Sequence, residues 1–167
     1  HAGCVSTEDQ KTFRSHGVET DVIPHPCPFQ NNGLQKSKEA AQKDLGEKYH
    51  LLLPDGKVCL FVGSKFLPNE IAVRSIREIL RAPTPRSAEE FLCVVAGGCA
   101  PPEKNKNFIS LGKVDASLLQ ALYSAADLVL MPLPFGTGAS VKMIEAMGRG
   151  KPVLGTRVAF RGYEVVS

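Results

Sequence analysis

One short segment of the sequence places a cation and a carboxylate on the same side of a predicted helix. The segment reads PFGTGASVKMIEAMGRGKPV and runs from Pro134 to Val153. A helix is predicted for residues 139–149 of this segment. At about 100° per residue, Lys142, Glu145 and Arg149 share one narrow stripe of that helix. The glycines before it leave the backbone amides at its N-terminus open to close approach, and such amides favour an anion, most often a phosphate.

The residue types around this stripe suit a phosphate joined to a sugar. Lys142 supplies a positive charge, and Glu145 can accept hydrogen bonds from sugar hydroxyls. Hydroxyl side chains and backbone amides at the start of the helix add donors: Thr137, Gly138, Ala139 and Ser140. The same pattern also has a purely structural interpretation, in which the glycines shape a turn and Lys142 and Glu145 form a surface pair. The spacing alone leaves both interpretations open.

Two common nucleotide-binding motifs do not fit the segment. The dinucleotide fingerprint G-x-G-x-x-G has its first two glycines at Gly136 and Gly138, but Val141 occupies the third position. The helix also comes late in the domain instead of after the first strand. The P-loop pattern G-x-x-x-x-G-K-[ST] is absent from the sequence. The segment therefore favours neither NAD binding nor hydrolysis of ATP or GTP.

Apolar runs that alternate with helical patterns predict the framework that must position these residues. Five runs, each bounded by turn residues, are predicted to be strands: 57–64, 91–98, 107–115, 126–134 and 151–157. The helices predicted between and before them are capped by Ser37, Asn69 and Asp115, and the first of these is expected to end near Gly46. Strands that are apolar throughout indicate a doubly wound parallel α/β sheet with helices on both faces. The short link 97–106 predicts an abbreviated loop in place of a crossover helix.

Length and composition restrict the class of protein. The chain has 167 residues, a net charge of +3 and 43% hydrophobic residues, values typical of one globular domain. Its basic residues are scattered without interleaved aromatics, which argues against nucleic-acid binding. No apolar run approaches the roughly 20 residues of a membrane-spanning helix, so a cytoplasmic location is expected, with peripheral association with a membrane left open. Five cysteines without a C-x-x-C pair predict buried thiols, and the histidine spacing predicts no metal site.

The segment from Pro134 resembles the donor-binding signature of retaining GT-B glycosyltransferases. The motif E-A-M-x-x-G-K-P-V, at Glu145–Val153, carries most of the likeness. The stretches FVGSKFLPNEIAVRSI and ISLGKVDASLLQALYSAADLVLMP also resemble that family, and the similarity extends over residues 22–164. The resemblance implies the C-terminal half of a GT-B fold, a Rossmann-like domain that binds a nucleotide-diphosphate sugar.

The resemblance also assigns roles to individual residues. It implies a nucleotide-sugar-binding set of nine residues: Gly63, Lys65, Val114, Thr137, Gly138, Ala139, Ser140, Lys142 and Glu145. Within this set Glu145 would hold the ribose, residues 137–140 the diphosphate and the sugar, and the backbone near Val114 the base. Lys142 and Lys65 would neutralise phosphate charge. No metal or other cofactor is implied, since an enzyme of this kind mainly positions the donor and stabilises the departing diphosphate while the sugar is transferred with retention of configuration.

The resemblance further implies that this is half of a larger enzyme. Residues 1–21 are expected to be a remnant of a preceding acceptor-binding domain, and residues 22–34 a proline-rich linker. Residues 35–167 are expected to be the nucleotide-sugar-binding domain, truncated at its C-terminal end. Sugar transfer would then require the N-terminal acceptor-binding domain, so the chain by itself is expected to bind the donor without turnover.

Two other functions stay open at this point. A nucleotide-sugar epimerase can share the same two-domain architecture. A non-catalytic, Rossmann-like interaction module is favoured by Thr137, which stands where many family members have the first of two glutamates. Lys142 and Glu145 argue against that second alternative, because a degenerate site has no need of them.

Overall fold

The computed structural model describes residues 2–23, 37–51, 53, 56–82, 91–136 and 140–163. The first of these ranges holds strand β1 (Ala2–Cys4), helix α1 (Thr7–Ser15) and strand β2 (Thr20–Val22), and its two strands pair in parallel. The predicted linker therefore starts inside β2 at Val22, and from residue 24 onward it lies outside the described residues. The domain boundaries stay predictions.

Six strands form the main sheet. They are β3 (Lys57–Val62), β4 (Phe91–Ala96), β5 (Glu103–Lys104), β6 (Phe108–Ser110), β7 (Leu128–Met131) and β8 (Val153–Gly155). Their order is β5-β6-β4-β3-β7-β8, and all neighbours are parallel except β5, which is antiparallel to β6. Counted along the chain, the five parallel strands lie in the order 3-2-1-4-5 of a doubly wound sheet. The predicted Rossmann-like parallel sheet is confirmed.

The link between β4 and β6 is short, as predicted, and the two strands are nonetheless parallel. In place of a crossover helix the link carries β5, which the sequence analysis did not predict because two residues are too few to show a period. The side chain of Glu103 in β5 accepts a hydrogen bond from Arg77, which lies on the helix that follows β3. This contact holds the edge strand against the sheet.

Helices cover both faces of the sheet, as predicted. They are α2 (Lys38–Tyr49), α3 (Leu67–Arg81), α4 (Ala116–Ala125), α5 (Val141–Gly148) and a 3-10 helix (Arg157–Phe160). Helices α2, α4 and α5 pack in one core with Leu60 of β3, whereas α3 packs in a second core with Phe61, the next residue of the same strand. This alternation is that of a strand buried on both sides.

The predicted helix starts are confirmed at Ser37 and Asp115. The hydroxyl of Ser37 accepts from the amide of Ala40 at 3.2 Å, and the carboxylate of Asp115 accepts from the amide of Leu118 at 2.7 Å. The predicted end of α2 is wrong, because the helix continues beyond Gly46 to Tyr49. A glycine inside a helix is tolerated at a modest cost, and the chain turns out of the helix one residue after Tyr49, in a left-handed conformation.

The predicted N-cap of α3 is also wrong. The helix begins two residues before Asn69, at Leu67, with Phe66 as its N-cap. Pro68 lies in the first turn, where its fixed φ and missing amide hydrogen suit the start of a helix. Asn69 is therefore inside the helix, and its buried side chain is free to make a tertiary contact described below.

Helix α5 is shorter than predicted. It spans Val141–Gly148 with Ser140 as its N-cap, and residues 137–139 lie outside the described part of the chain. Met143 and Ala146 are buried in the core, but Val141 and Met147 are exposed. One side of this helix therefore packs against the sheet, and another is open to solvent.

Four of the five predicted buried thiols can be checked. Cys4, Cys59, Cys93 and Cys99 are buried and not in disulfides, and Cys27 lies outside the described residues. Burial raises the pKa of the Cys93 thiol to about 12, so this thiol stays protonated at physiological pH.

Two features are absent from the residues that the structure describes. In this part of the chain no helix combines the length and the apolar character that crossing a membrane requires. The same residues contain no group of three or more His, Cys, Asp or Glu side chains arranged to hold a metal ion.

Candidate functional site

A cavity lies where the strand order of the sheet reverses. From β3 the chain proceeds through α3 to one side, whereas β7 lies on the other side of β3. In open α/β sheets the crevice outside the carboxyl ends of two such strands is the usual place for a ligand. Here the loops after β3 and β7 enclose a cavity of about 220 Å³. Its polar lining includes Ser64, Asn69, Ser140, Lys142 and Arg161.

Glycines let the strand ends approach one another closely beside this cavity. A Cβ atom on Gly97 would lie 2.1 Å from the carbonyl oxygen of Gly63, and Gly97 has a φ of +109°, which L side chains rarely adopt. A Cβ atom on Gly63 would lie 2.8 Å from the Sγ atom of Cys99. The amide of Cys99 donates to the carbonyl of Gly63 at 3.2 Å. Gly63, predicted to take part in donor binding, is thus required at this position by packing.

Lys142 lies in the first turn of α5 and lines the cavity. Its Nζ atom donates a hydrogen bond to Oδ1 of Asn69 at 2.6 Å and lies 5.6 Å from the centre of the Phe61 ring. Burial lowers the pKa of this lysine, while the neighbouring Glu145 and Cys99 act in the opposite direction. The ammonium group is therefore a partly desolvated cation at the wall of the cavity, where it attracts an anion more strongly than an exposed lysine does.

Glu145 lies one turn further along α5 and is half-buried. Its Oε2 atom accepts a hydrogen bond from the hydroxyl of Tyr123 at 3.3 Å. The guanidinium group of Arg149 lies 4.7 Å from the centre of the same tyrosine ring. Burial, followed by the charge of Glu145, raises the pKa of Tyr123, so its hydroxyl remains a donor throughout the usual pH range. The tyrosine thus helps to fix the carboxylate of Glu145.

Two contacts anchor the chain on either side of the N-terminus of α5. The hydroxyl of Tyr163 donates to the carbonyl of Ser140 at 3.0 Å, and the Arg161 guanidinium donates to the carbonyl of Gly136 at 2.7 Å. The side chain of Ser140 makes no capping hydrogen bond, although Ser140 is the N-cap residue. The predicted binding residues Thr137, Gly138 and Ala139 lie between these anchors, outside the described residues.

Two predicted site residues lie at the same edge of the sheet but not on this cavity. Lys65 is exposed in the loop after β3, and its amide nitrogen would be 3.3 Å from a Cβ atom on Gly98. Val114 is half-buried in the loop between β6 and α4. Of the residues that the structure describes, neither is among those lining the 220 Å³ cavity, and Glu145 is not among them either. Their roles stay predictions.

The sequence analysis missed two polar neighbours of the predicted site. Asn69 was predicted to be a helix cap, and no functional role was predicted for Tyr123 of α4. Tyr123 does pack in the core, where it is 1% exposed, but its hydroxyl reaches α5. A buried tyrosine requires a hydrogen-bond partner for its hydroxyl group. This requirement could have indicated that Tyr123 contacts a polar residue.

The family model described as glycosyl transferases group 1 matches residues 56–167, well over half of the chain. No curated protein sequence matches the chain.

Two solved structures show the fold. One is WaaG, a glycosyltransferase involved in lipopolysaccharide biosynthesis, with a TM-score of 0.68, 22% identity and coverage of 97% of this chain and 45% of WaaG. The other is sucrose-phosphate synthase from Thermosynechococcus elongatus, with a TM-score of 0.66, 20% identity and coverage of 95% of this chain and 41% of that protein. The chain thus spans less than half the length of each, and these likenesses agree with the predicted half of a GT-B fold. Because the family model covers most of its length, this chain belongs to the glycosyl transferases group 1 family.

Proposed function

We propose that this chain is the donor-binding domain of a retaining glycosyltransferase and that it binds a nucleotide-diphosphate sugar. The observation that carries the proposal is the position of Lys142. Its ammonium group lines a cavity at the point where the strand order reverses, in the first turn of a helix whose N-terminal end faces the same cavity. A cation and free backbone amides at one place favour a diphosphate.

The proposed roles follow from the geometry and the family membership. Lys142 neutralises the diphosphate, and the amides and hydroxyls of residues 137–140 hydrogen-bond to its oxygens. Glu145 accepts hydrogen bonds from the ribose hydroxyls while Tyr123 keeps its carboxylate in place. The protein would contribute orientation of the donor and stabilisation of the negative charge that develops on the departing diphosphate. In this proposal side-chain cations and backbone amides, without a metal ion, balance the charge of the diphosphate.

The remaining parts of the proposal concern the larger enzyme. We propose that Val114 contacts the base and that Lys65 adds a second positive charge to the diphosphate. An N-terminal acceptor-binding domain would supply the acceptor, so this chain by itself is expected to bind the donor and not to transfer sugar. A cytoplasmic location remains part of the same proposal.

Titration calorimetry with UDP, GDP, ADP and dTDP tests the proposal. At least one of these nucleoside diphosphates should bind, and Glu145→Ala should weaken its binding about tenfold, because a carboxylate with two hydrogen bonds to the ribose is lost. Glu78→Ala is the matched control, since Glu78 is an exposed glutamate on α3 and should not affect binding. Failure of all four nucleotides to bind would contradict the proposal.

The same nucleotides also separate the two alternative functions, an interaction module and an epimerase. If no nucleotide changes the thermal stability of the chain, a non-catalytic interaction module is favoured, because any ligand of the folded state raises that stability. If a nucleotide sugar binds, analysis of the product made by an enzyme that contains both domains distinguishes epimerisation from transfer.

A further inference from the structure

The side chain of Asn69 connects two elements that the proposed function needs. Its Nδ2 atom donates to the carbonyl oxygen of Ser64 at 2.9 Å, in the loop after β3. Its Oδ1 atom accepts from Nζ of Lys142 at 2.6 Å, on α5. Asn69 is only 3% exposed, so the connection is buried beside the cavity.

The orientation of this amide is determined by its partners. A backbone carbonyl can only accept a hydrogen bond, so the NH₂ group of Asn69 must point to Ser64. A lysine ammonium group can only donate, so the oxygen of Asn69 must point to Lys142. Both contacts are satisfied in one orientation and neither in the other. Asparagine fits this position in a way that aspartate or leucine, which have a similar shape, cannot.

Asn69 and Lys142 lie on helices that pack against opposite faces of the sheet. Helix α3 packs in the core with Phe61, and α5 packs in the core on the other face. Lys142 has a long flexible side chain, and holding it in one rotamer would otherwise cost conformational entropy when an anion binds. A partner that is already rigid removes much of this cost before binding.

We propose that Asn69 is a positioning residue for the donor diphosphate, because it fixes the ammonium group of Lys142 at the cavity and links it to the loop after β3. This inference rests on the proposed function and deepens it. Asn69 itself need not touch the ligand. Its effect is transmitted through Lys142, and this dependence can be measured.

A double-mutant cycle with inorganic pyrophosphate as the probe tests the dependence. Asn69→Leu should weaken pyrophosphate binding to the 167-residue chain about tenfold, because hydrogen bonds to charged groups are the stronger ones. In the Lys142→Met background the same change should alter binding less than about twofold. Asn105→Leu is the control, because Asn105 is exposed after β5 and is not among the residues that line the cavity.

A second measurement does not depend on any ligand. The ammonium group of Lys142 can be titrated by NMR, and it is faced by Cys99 and Glu145, with Arg161 on the wall of the cavity. Asn69→Leu should lower the pKa of Lys142 further, because the buried cation loses its acceptor. Asn69→Asp should raise that pKa, because a carboxylate favours the charged lysine, and should still weaken pyrophosphate binding by neutralising it. A residue that only filled space would not shift the pKa in opposite directions.

The outcomes are distinguishable from failure of the proposed function. Suppose that nucleoside diphosphates bind and that Glu145→Ala lowers their affinity, but that Asn69→Leu lowers the affinity for pyrophosphate equally with and without Lys142. The positioning role is then overturned, and the proposed function stands. An unchanged Lys142 pKa in both Asn69 variants overturns it as well. If neither pyrophosphate nor any nucleotide binds to the unmodified chain, the proposed function fails and this inference fails with it.

Discussion

Two concave regions of this domain differ in size and in chemistry. The larger is a groove of about 420 Å³ between α3 and β8, with walls that include Ile76, Ile79 and Leu154 and with Cys59 and Cys93 at its base. Nearly all of its surface is apolar. The smaller, about 220 Å³, is the cavity at the reversal of the strand order, where Lys142 and Asn69 meet. The larger region offers almost no polar group, whereas the smaller one brings several together.

The difference follows from what the two regions are made of. The groove is lined by apolar side chains of α3 and of the strands on that face of the sheet. The cavity is made of loops and first helical turns at the carboxyl ends of the strands, where side chains do not have to fill a core. The polar lining of the smaller cavity is the reason why we propose it, and not the larger groove, as the site of a charged ligand.

The largest effect we expect is from a change at the close approach of two strand ends beside the small cavity. Gly97→Ala should destabilise the fold by about 3 kcal/mol or more, because the new methyl group meets the carbonyl of Gly63 and the residue keeps a positive φ. Gly150→Ala is the matched control, since Gly150 also has a positive φ but has open space around its Cβ position. That variant should lose only about 1 kcal/mol. Urea unfolding of both variants measures the difference, and equal losses would contradict this account of the strand ends.

A pair of substitutions tests directly which region binds the nucleotide. Lys142→Met keeps the unbranched stem and removes the charge, so nucleoside diphosphate affinity should fall about 10- to 100-fold. Ile79→Ser in the groove should leave that affinity unchanged, since Ile79 is 63% exposed and far from the proposed diphosphate site in the fold. Calorimetric titration compares the two. The reverse pattern would assign the nucleotide to the groove.

A smaller effect is expected from the residue behind Glu145. Tyr123→Phe removes the hydroxyl that donates to the carboxylate and leaves the ring in the core. Binding of a nucleoside diphosphate should weaken about fivefold, which corresponds to the loss of one hydrogen bond of about 1 kcal/mol. Binding of inorganic pyrophosphate, which has no ribose, should not change. If both ligands weaken alike, Tyr123 acts through general stability instead of through Glu145.

The smallest effect concerns a contact remote from both regions. Asp127 accepts from Nζ of Lys38 at 2.8 Å and from the amide of Val58 at 2.8 Å. Partial burial opposes ionisation of Asp127, but these hydrogen bonds outweigh it and lower its pKa. A carboxyl with a lowered pKa in the folded state stabilises the fold above its ordinary pKa, and this contribution disappears as the pH falls through the lowered value.

Asp127→Asn should therefore lower the free energy of unfolding by about 1 kcal/mol at pH 7 and by less at acidic pH. Denaturant unfolding at pH 7 and pH 3 measures the difference. Nucleotide affinity at pH 7 should remain unchanged, because this contact ties α2 to the edge of the sheet opposite the carboxyl ends of the strands. A loss of stability that is the same at both pH values would contradict the assigned cause.

Local patterns predicted the framework well because the framework depends on local chemistry. Apolar runs that end at turn residues identified all five parallel strands, and the side chains of Ser37 and Asp115 identified two helix starts. The errors occurred where tertiary contacts decide. Asn69 is a residue type that often caps helices, but the helix begins two residues earlier, because Pro68 suits its first turn. The side-chain amide of Asn69 instead contacts Lys142. The antiparallel strand β5 depends on its neighbour β6 and has no pattern of its own.

The residue types of the candidate site could be predicted from the sequence, but the contacts between its residues could not. The spacing of Lys142 and Glu145 by itself predicts that both lie on one stripe of a helix. Lys142 contacts α3, and Glu145 contacts α4. Both contacts depend on how three helices pack around the sheet, and no short stretch of the sequence contains that information. The partners that hold a charged group in place are therefore the part of a site that sequence patterns reveal least.

The most direct test is a crystal structure of the chain with the nucleoside diphosphate that binds it best. We predict that the diphosphate lies against Lys142 and the N-terminus of α5, with a ribose hydroxyl within hydrogen-bonding distance of Glu145. A nucleotide found in the apolar groove, or one whose diphosphate contacts neither Lys142 nor the first turn of α5, would contradict the account.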